Sequence, residues 1–199
     1  MPVTCQLNAS HMPKIIRHKT CIAHHPSVDS QHIQACFSAD GKHRYSLYVP
    51  FREPRGQHTL CIIGQNPSHA NQHHADKTLG YFEHYLYRQQ TQFKAFYMVN
   101  LYSRIDTQKR YKRGLNTRQS ADYVKQAIAA SDAVLMAYGA KAKDKAYHFQ
   151  QQAKRLKPWL ANMPCYKLDI GEPTTYPPHP GNRQIFYRRY DLTLVPFSV

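Results

Sequence analysis

Acidic side chains are scarce in this sequence. Only 12 Asp and Glu stand against 27 Lys and Arg, which gives a formal net charge of +15 at pH 7. A surplus of this size creates a positive field that attracts polyanions, with nucleic acid first among them. We therefore expect a nucleic-acid or nucleotide partner, although the same charge also serves solubility.

Long apolar runs are lacking as well. No stretch approaches the roughly 20 apolar residues that a membrane-spanning helix needs. Residues 1–20 lack the apolar core of a signal peptide. These two absences predict a cytoplasmic protein with no membrane partner.

Closely spaced cysteine pairs are also absent. The sequence contains Cys5, Cys21, Cys36, Cys61 and Cys165, without a C-x-x-C pair. This spacing argues against a zinc ribbon and against a disulfide framework. The four cysteines other than Cys61 match no ligand spacing of an iron–sulfur cluster, so we expect no cofactor. Cys61 lies in an apolar run and is predicted to be a core residue.

Two regions differ in composition. Residues 1–33 are polar and lack periodicity, which predicts an N-terminal extension, and residues 34–199 are predicted to form a single α/β domain. Asp40-Gly41 lies between two strand-like runs and predicts a β-hairpin. Apolar runs and helical patterns then alternate. The predicted strands cover 59–64, 93–103, 133–139 and 163–171, and the predicted helices cover 77–90, 120–132 and 141–160, the last broken at Pro158.

This alternation is typical of a parallel sheet with helices on both faces. We predict an α/β three-layer sandwich with a central, mostly parallel four-stranded sheet and an N-terminal β-hairpin. In such sheets the ligand site lies beyond the carboxyl ends of the strands. That rule selects residues 64–69, 100–104, 138–140 and 171–182.

The first of these segments, GQNPSH, is a polar and rigid turn. Gly64 permits a sharp change of direction, and Pro67 fixes its own φ while it drives Asn66 towards extended backbone. The turn would hold the side chains of Gln65 and Asn66 at the edge of the sheet. The alternative is a purely structural turn in which Asn66 caps the following helix.

Four motifs, in this order, resemble those of the uracil-DNA glycosylase superfamily. GQNPSH resembles its GQDPYH-type motif, and FYMVNLYS resembles the apolar strand that ends in a base-reading asparagine. AVLMAYGAKAKDKA resembles the following strand with its lysine-bearing helix, and PPHPGN lies where the family has a histidine–proline motif. The motifs span residues 59–183, and the resemblance implies a uracil-DNA glycosylase-like fold.

A closer resemblance is to a bacterial domain family of unknown function whose members have an LNPSTAD-type turn. The similar features here are RYSLYVPF, the NPS turn, the D-x-T pattern at 76–78 and the VNLYSR strand end. This second family supplies no activity that could be carried over.

The glycosylase resemblance implies a candidate DNA N-glycosylase, which is a hydrolase. It implies that Asn100 reads the polar edge of a flipped base and that His179 stabilises the charge growing on that base. The alternative for His179 is a loop histidine that Pro178 and Pro180 hold rigid. Asn66 would position the attacking water. The other residues of the implied substrate pocket are Gly64, Gln65, Pro67, Ser68 and Tyr138.

Two departures from the glycosylase pattern keep a second function open. The most active relatives have an aspartate where this chain has Asn66, and a neutral amide can orient water but takes no proton from it. Ser68 replaces a bulky tyrosine, which leaves room for larger or modified bases. The alternative is therefore a non-catalytic nucleic-acid or nucleotide-binding protein on the same fold.

The loop RIDTQKRYKRGLNTR follows the implied pocket directly and is rich in positive charge. We predict that it contacts phosphates, and the alternative is a solvated loop. The resemblance to DNA glycosylases favours DNA over RNA. The predicted nucleic-acid-binding residues are Arg104, Lys109, Arg110, Lys112, Arg113 and Arg183.

Histidines near the turn suggest a metal-dependent hydrolase as a third alternative. On a helix, His69 and His73 would share a face at a spacing that suits zinc, with Asp76 nearby. No glutamate follows as it does in H-E-x-x-H, and 13 histidines make chance neighbours common. We therefore predict no metal and expect Asp76 to cap the helix that begins near Lys77.

Overall fold

Strands and helices alternate along the chain in a computed structural model that describes residues 21–54, 56–140, 146–183, 185 and 190–199. The strands are β1 (Gln34–Phe37), β2 (Arg44–Pro50), β3 (His58–Gly64), β4 (Phe93–Asn100), β5 (Ala133–Met136), β6 (Cys165–Leu168) and β7 (Leu194–Pro196). The helices are α1 (Lys77–Gln89), α2 (Ser120–Ala129), α3 (Phe149–Lys154) and α4 (Lys157–Leu160).

The described strands form one seven-stranded sheet in the order β1-β2-β4-β3-β5-β6-β7. Strands β4, β3, β5 and β6 are mutually parallel. The remaining pairs, β1 with β2, β2 with β4 and β6 with β7, are antiparallel. The predicted α/β class is confirmed, whereas the predicted sheet of four strands is too small. The hairpin joins one edge of the sheet, and the C-terminal segment returns to add β7 at the other.

Alternation along β3 divides the core into two layers. Leu60 and Ile62 belong to a cluster that includes residues of α1, and Cys61 and Ile63 belong to a cluster that includes residues of α2, α3 and α4. All four side chains are fully buried. A strand that is covered on both faces needs apolar residues at every position, which explains the unbroken run in β3.

Parallel pairing sets the level at which the strands end. Gly64 and Asn100 are register partners at the ends of β3 and β4, and the Leu101 amide donates to the Gly64 carbonyl at 3.0 Å. The Ala137 amide, just beyond β5, donates to the Ile63 carbonyl at 2.9 Å. The loops that leave these three strands therefore start from the same edge of the sheet.

Helix α1 confirms the segment predicted over 77–90. Asp76 is its N-cap, and the carboxylate accepts a hydrogen bond from the Leu79 amide at 2.7 Å. The capping role expected for Asp76 is therefore confirmed. The alternative, in which Asn66 caps this helix, is wrong.

The other predicted helices are shorter than expected. Helix α2 ends at Ala129, three residues before the predicted boundary at 132. The segment predicted over 141–160 contains α3 and α4, and its residues 141–145 lie outside the described residues. Pro158 lies in the first turn of α4, where its missing amide hydrogen is not needed by the helix.

Part of the predicted N-terminal extension packs on the domain. Val28 and Ile33 belong to the core, and Ile22 and Ala75 exchange two backbone hydrogen bonds of 2.9 Å. Residues 1–20 of the predicted extension lie outside the described residues. From residue 21 onward, then, the segment takes part in the packing of the domain.

The described cysteines differ in their bonding and burial. Cys36 is disulfide-bonded, while Cys21, Cys61 and Cys165 are free thiols. Cys61 is fully buried, as predicted, and burial raises the pKa of its thiol.

None of the helices in the described ranges is long and apolar enough to cross a membrane.

A buried carboxylate anchors the N-terminal segment to α1. Glu83 is fully buried, and it accepts hydrogen bonds from His24 Nδ1 at 2.6 Å and from the His25 amide at 2.8 Å. The His24 side chain is only 6% exposed. Because Glu83 and the His24 side chain are shielded from water, His24 Nδ1 depends on this carboxylate for its hydrogen bond.

We expect Glu83→Ala to lower the free energy of unfolding by about 3 kcal/mol, because it leaves the shielded Nδ1 of His24 and the His25 amide without their acceptor. Urea denaturation measures the change. Glu53→Ala, which removes an exposed acid, is the control and should change stability by less than about 0.5 kcal/mol. Similar losses in the two variants would contradict an anchoring role for Glu83.

Candidate functional site

A small cavity lies at the carboxyl ends of β3 and β4. Five of the residues predicted for the site line it: Gln65, Asn66, Ser68, Asn100 and His179. The five further lining residues were not predicted to take part: Arg44, Asp76, Thr78, Leu79 and Met98. The cavity volume is about 30 Å³, which suits a group the size of one water molecule.

Hydrogen bonds hold the turn after β3 against the neighbouring strand ends. Gln65 Nε2 donates to the Tyr138 carbonyl at 2.7 Å, and the Tyr102 amide donates to the Gln65 carbonyl at 3.0 Å. Asn66 Nδ2 donates to the Asp106 carbonyl at 2.6 Å. Since the Asn66 amino group is engaged in this way, Oδ1 is the atom that it offers to a ligand as an acceptor.

Asn100 lies at the end of β4 and is 6% exposed. A Cβ at Gly64 would come within 2.8 Å of Asn100 Oδ1 and 2.7 Å of Met98 Cε, so only glycine fits at that position without displacing a neighbour. Asn100 Nδ2 is buried and has no hydrogen-bond partner. The side-chain oxygen of Asn100 is thus closely packed against Gly64, and its side-chain nitrogen has no hydrogen-bond acceptor.

His179 is held in one orientation by the backbone around it. The Gly181 amide donates to His179 Nδ1 at 2.9 Å, which leaves the proton of the neutral ring on Nε2. Gly139 has φ +73°, and a Cβ there would lie 3.1 Å from His179 Cβ and 3.1 Å from Gln65 Nε2. Glycine at this position therefore allows the histidine loop to approach the turn after β3.

Burial lowers the pKa of His179 to about 4, with Lys109 acting in the same direction and Asp76 opposing it. The imidazole is therefore neutral at physiological pH. A neutral ring whose proton is on Nε2 can donate a hydrogen bond to an oxygen on which negative charge develops.

Arg44 and Asp76 form the charged part of the cavity wall. Arg44 is 3% exposed, and its Nη1 donates to the Ala70 carbonyl at 3.0 Å. Burial lowers the pKa of Arg44 to about 10, and Asp76 opposes that shift. Asp76 also accepts from the Ser68 hydroxyl and the Leu79 amide.

The sequence patterns that contain Arg44, Asp76 and Thr78 were noticed, but they indicated no function for these residues. Arg44 begins the RYSL segment, and Asp76 and Thr78 form the D-x-T pattern. Both features entered the comparison with the domain family of unknown function, which assigns no role to them. The side chains meet because β2 pairs with β4, next to the end of β3.

Asp106 organises the basic loop that follows β4. This carboxylate is 5% exposed, and it accepts from the amides of Arg110 and Tyr111 at 3.0 Å each and from the Tyr147 hydroxyl at 2.5 Å. Burial raises the pKa of Asp106, but the hydrogen bonds outweigh it and the net shift is downward. Because the Asp106 carbonyl also accepts from Asn66, one residue joins the loop to the turn.

The predicted phosphate-binding residues divide into two groups. Arg110, Lys112, Arg113 and Arg183 are exposed. Arg104 instead packs its guanidinium 3.7 Å from the Tyr111 ring centroid, and its Nε is buried. Lys109 is half-buried at φ +52°, and burial lowers its pKa while Asp106 opposes the shift.

Tyr138, Gly64 and Pro67 do not line the cavity. The Tyr138 side chain is 3% exposed and packs in the core cluster on the side of α2, where burial raises its pKa to about 12. Only its backbone carbonyl serves the site, as the acceptor for Gln65. Gly64 and Pro67 contribute through backbone shape, since both are buried.

The helical face proposed for a metal does not form. Residues 69–75 are irregular apart from a β-bridge at Ala75, and α1 begins at Lys77, so His69 and His73 have no helical i, i+4 relationship. Within the described ranges no group of three or more His, Cys, Asp or Glu side chains is arranged to hold a metal ion.

A wider groove of about 650 Å³ adjoins the small cavity. Residues 22–26, α1 and the Pro180–Gly181 turn form its walls, and the aromatic side chains of Tyr81, His84 and Tyr190 line it. Thr78 lines both spaces. The turn directly after His179 thus separates the small cavity from a groove of ligand size.

A family model described as a protein of unknown function (DUF1643) matches residues 44–180. The chain belongs to this family. The expected membership in a domain family of unknown function is thereby confirmed. The matched range begins at Arg44 and contains every residue that lines the small cavity. No curated protein and no solved structure matches the chain.

The depressed pKa of His179 predicts a loss of stability in acid. Between pH 6.5 and about 4, the unfolded chain binds a proton that the native histidine does not, so the free energy of unfolding falls as the pH falls through this window. His179→Asn should make that dependence shallower in urea denaturation. His73→Asn, which changes an exposed histidine of the same region, should keep the wild-type slope. Identical slopes in all three proteins would contradict the shift.

Proposed function

We propose that this protein is a glycosylase-like protein that recognises a base or nucleoside of nucleic acid and hydrolyses its N-glycosidic bond. One observation carries the proposal. Asn66 and His179 come from two loops and Asn100 from the end of β4, positions that are far apart in sequence, yet all three line a single cavity at the carboxyl ends of the parallel strands. This is the edge at which doubly wound sheets bind their ligands.

Each of the three side chains supplies a different kind of hydrogen bond. Asn100 offers a buried amide nitrogen to the edge of a base. His179, neutral with its proton on Nε2, is suited to stabilise the negative charge that grows on a base oxygen as the glycosidic bond breaks. Asn66 offers Oδ1 to orient a water towards the sugar carbon.

Asp76 supplies the carboxylate that position 66 lacks. It lines the cavity together with Asn66, and its two oxygens are held by the Leu79 amide and the Ser68 hydroxyl. A fixed negative charge favours the cationic sugar that forms when the base departs. In this proposal Asp76 acts electrostatically. The bond from the sugar carbon to the base breaks with its electron pair on the base, water adds to the sugar carbon, and the proton that this water loses is taken up by the departing base anion.

The cavity must widen to admit a base, because about 30 Å³ is far below the volume of a ligand pocket. The neighbouring groove of about 650 Å³ supports an approach from that side. Closure of a loop over the substrate would then exclude water and complete the site. The residues that would move are those of the His179 loop, since the turn after β3 is hydrogen-bonded to β4 and β5.

The proposal extends to the fold and to the partner. Four parallel strands with helices on both faces, and the polar motifs at their ends, support a uracil-DNA glycosylase-like arrangement. The exposed cations of the basic loop, Arg110, Lys112 and Arg113, support a phosphate contact beside the cavity. We propose DNA as the polyanion.

Excision can be tested with duplex and single-stranded DNA that contains uracil, mismatched or modified bases. The protein should leave alkali-labile abasic sites in at least one substrate. His179→Asn should lower the rate by about 10²–10³, because it removes a hydrogen bond made to charge that develops in the transition state. Asp76→Asn keeps an oxygen to cap α1 and should also slow the reaction.

His73→Asn serves as the matched control and should retain the wild-type rate, since this exposed histidine does not line the cavity. Absence of abasic sites across the whole panel, with DNA binding intact, would remove the claim of catalysis.

A second candidate function is binding of DNA or a nucleotide without hydrolysis. The observation that favours it is the neutral Asn66, whose amino group is already held by the Asp106 carbonyl. Such a protein would keep the pocket and the basic loop, and His179→Asn would leave its affinity for DNA unchanged.

Salt dependence tests the phosphate contacts that both functions require. The affinity for a DNA duplex should fall steeply as salt increases, and Arg113→Gln should lower the slope of log K against log salt by about 1. Arg52→Gln removes an exposed cation outside the basic loop and should leave the slope unchanged. Equal slopes in the wild type and Arg113→Gln would show that this arginine makes no phosphate contact.

A further inference from the structure

Two nitrogen donors in the cavity wall are buried and unpaired. Arg44 is 3% exposed and Asn100 is 6% exposed, and neither Arg44 Nε nor Asn100 Nδ2 has a hydrogen-bond partner. A buried donor without a partner costs about 1–3 kcal/mol, and more when it is charged. Because both side chains line the same cavity, an acceptor bound there can satisfy both.

The structure holds Arg44 firmly and keeps it charged. Its Nη1 is fixed on the Ala70 carbonyl, and burial lowers the pKa of its guanidinium only to about 10, with Asp76 opposing the shift. A guanidinium has donors and no acceptor. The Nε of Arg44 is therefore a fixed donor that cannot reverse its role.

Asn100 is oriented so that it acts as the second donor. Its Oδ1 packs so closely on Gly64 that an added Cβ would come within 2.8 Å. The unpaired Nδ2 is the other end of the same amide. Both unpaired donors therefore belong to residues of the same cavity wall.

We propose that Arg44 Nε and Asn100 Nδ2 form an oxygen subsite that donates to one carbonyl oxygen of a planar heterocycle. The ligands are therefore oxopyrimidines or oxopurines, and not their amino counterparts. This inference rests on the proposed function, because it takes the ligand to be a base. Arg44 is assigned as a residue that determines specificity, a role for which the sequence patterns gave no indication.

Electrostatics favour a neutral carbonyl oxygen over an anion at this position. Asp76 lies in the same wall as Arg44, so the negative charge of its carboxylate offsets the positive charge that would otherwise attract a phosphate or carboxylate group. An amino group is also disfavoured, because its hydrogens would meet two donors and leave all of them unpaired. Sites built to hydrogen-bond one polar group reject an analogue that lacks it more strongly than apolar pockets reject a difference in size.

Matched pairs of free bases test the subsite without any need for catalysis. Uracil has a keto group where cytosine has an amino group, and hypoxanthine has a keto group where adenine has an amino group. By isothermal titration calorimetry, the wild-type protein should bind the keto member of each pair at least about tenfold more tightly. Arg44→Met should reduce that preference to less than about threefold.

Arg52→Met is the matched control. Arg52, like Arg44, donates to a backbone carbonyl, in its case from Nε to that of Val28 at 3.0 Å, but this arginine does not line the cavity. The variant should keep the wild-type preference. A loss of preference in Arg52→Met equal to that in Arg44→Met would overturn the assignment.

Asn100→Asp tests the same claim without removing the buried charge of Arg44. The substitution keeps the shape of the side chain and replaces its donor with an acceptor, so the preference should shift towards cytosine and adenine. This variant decides the matter if Arg44→Met fails to fold.

The possible outcomes separate the subsite from the proposed function. Equal affinity of the wild-type protein for both members of each pair overturns the subsite and leaves base recognition standing. A wild-type preference that persists in Asn100→Asp does the same. Failure of the wild-type protein to bind any of the four bases overturns both. Binding of inorganic phosphate that depends on Arg44 overturns the assignment to a heterocycle.

Discussion

Parallel pairing of β3 with β4 and β5 is the constraint on which the candidate site depends. It brings the ends of three buried strands to one edge and places Gly64 level with Asn100. The chain then has to turn within a space where a Cβ at residue 64 would meet Asn100 and Met98. A glycine, two amides and a proline after an apolar strand are thus what such an edge requires. The turn is polar because its hydrogen bonds join it to the neighbouring strands.

The scarce acids fix the geometry of the site, while the abundant cations form the surface around it. Asp76 caps α1, accepts from Ser68 and balances Arg44. The Asp106 carboxylate accepts hydrogen bonds from two backbone amides of the basic loop, and its backbone carbonyl accepts one from Asn66. Losing either carboxylate would therefore affect several elements at once. Arg110 and Arg113 of the loop are exposed to solvent.

Local patterns in the sequence predicted the elements that depend on local physics. The buried run of β3, the extent of α1 and the cap at Asp76 all follow from neighbouring residues, and the rule for strand ends selected five of the ten residues that line the cavity. Contacts between distant segments were missed: Arg44 reaches the site only through the pairing of β2 with β4, and β7 exists only because the tail returns. The alternation that buries Val134 and Met136 on one face would also have placed the Tyr138 side chain in the core.

The hydrogen bonds around the cavity indicate which wall can move if a base is to enter. The turn after β3 is joined to β5 through Gln65 and to the basic loop through Asn66, so displacing it would break contacts with several elements. The His179 loop borders the wide groove through Pro180 and Gly181, and the Gly139 amide holds it at the Pro177 carbonyl. Under the proposed function, the amides that read the base therefore form a fixed floor, and the residue that stabilises the departing base lies on the wall that closes. Under this proposal, cleavage of the glycosidic bond depends on closure of the His179 loop, because the charge on the base is stabilised only after that loop has returned.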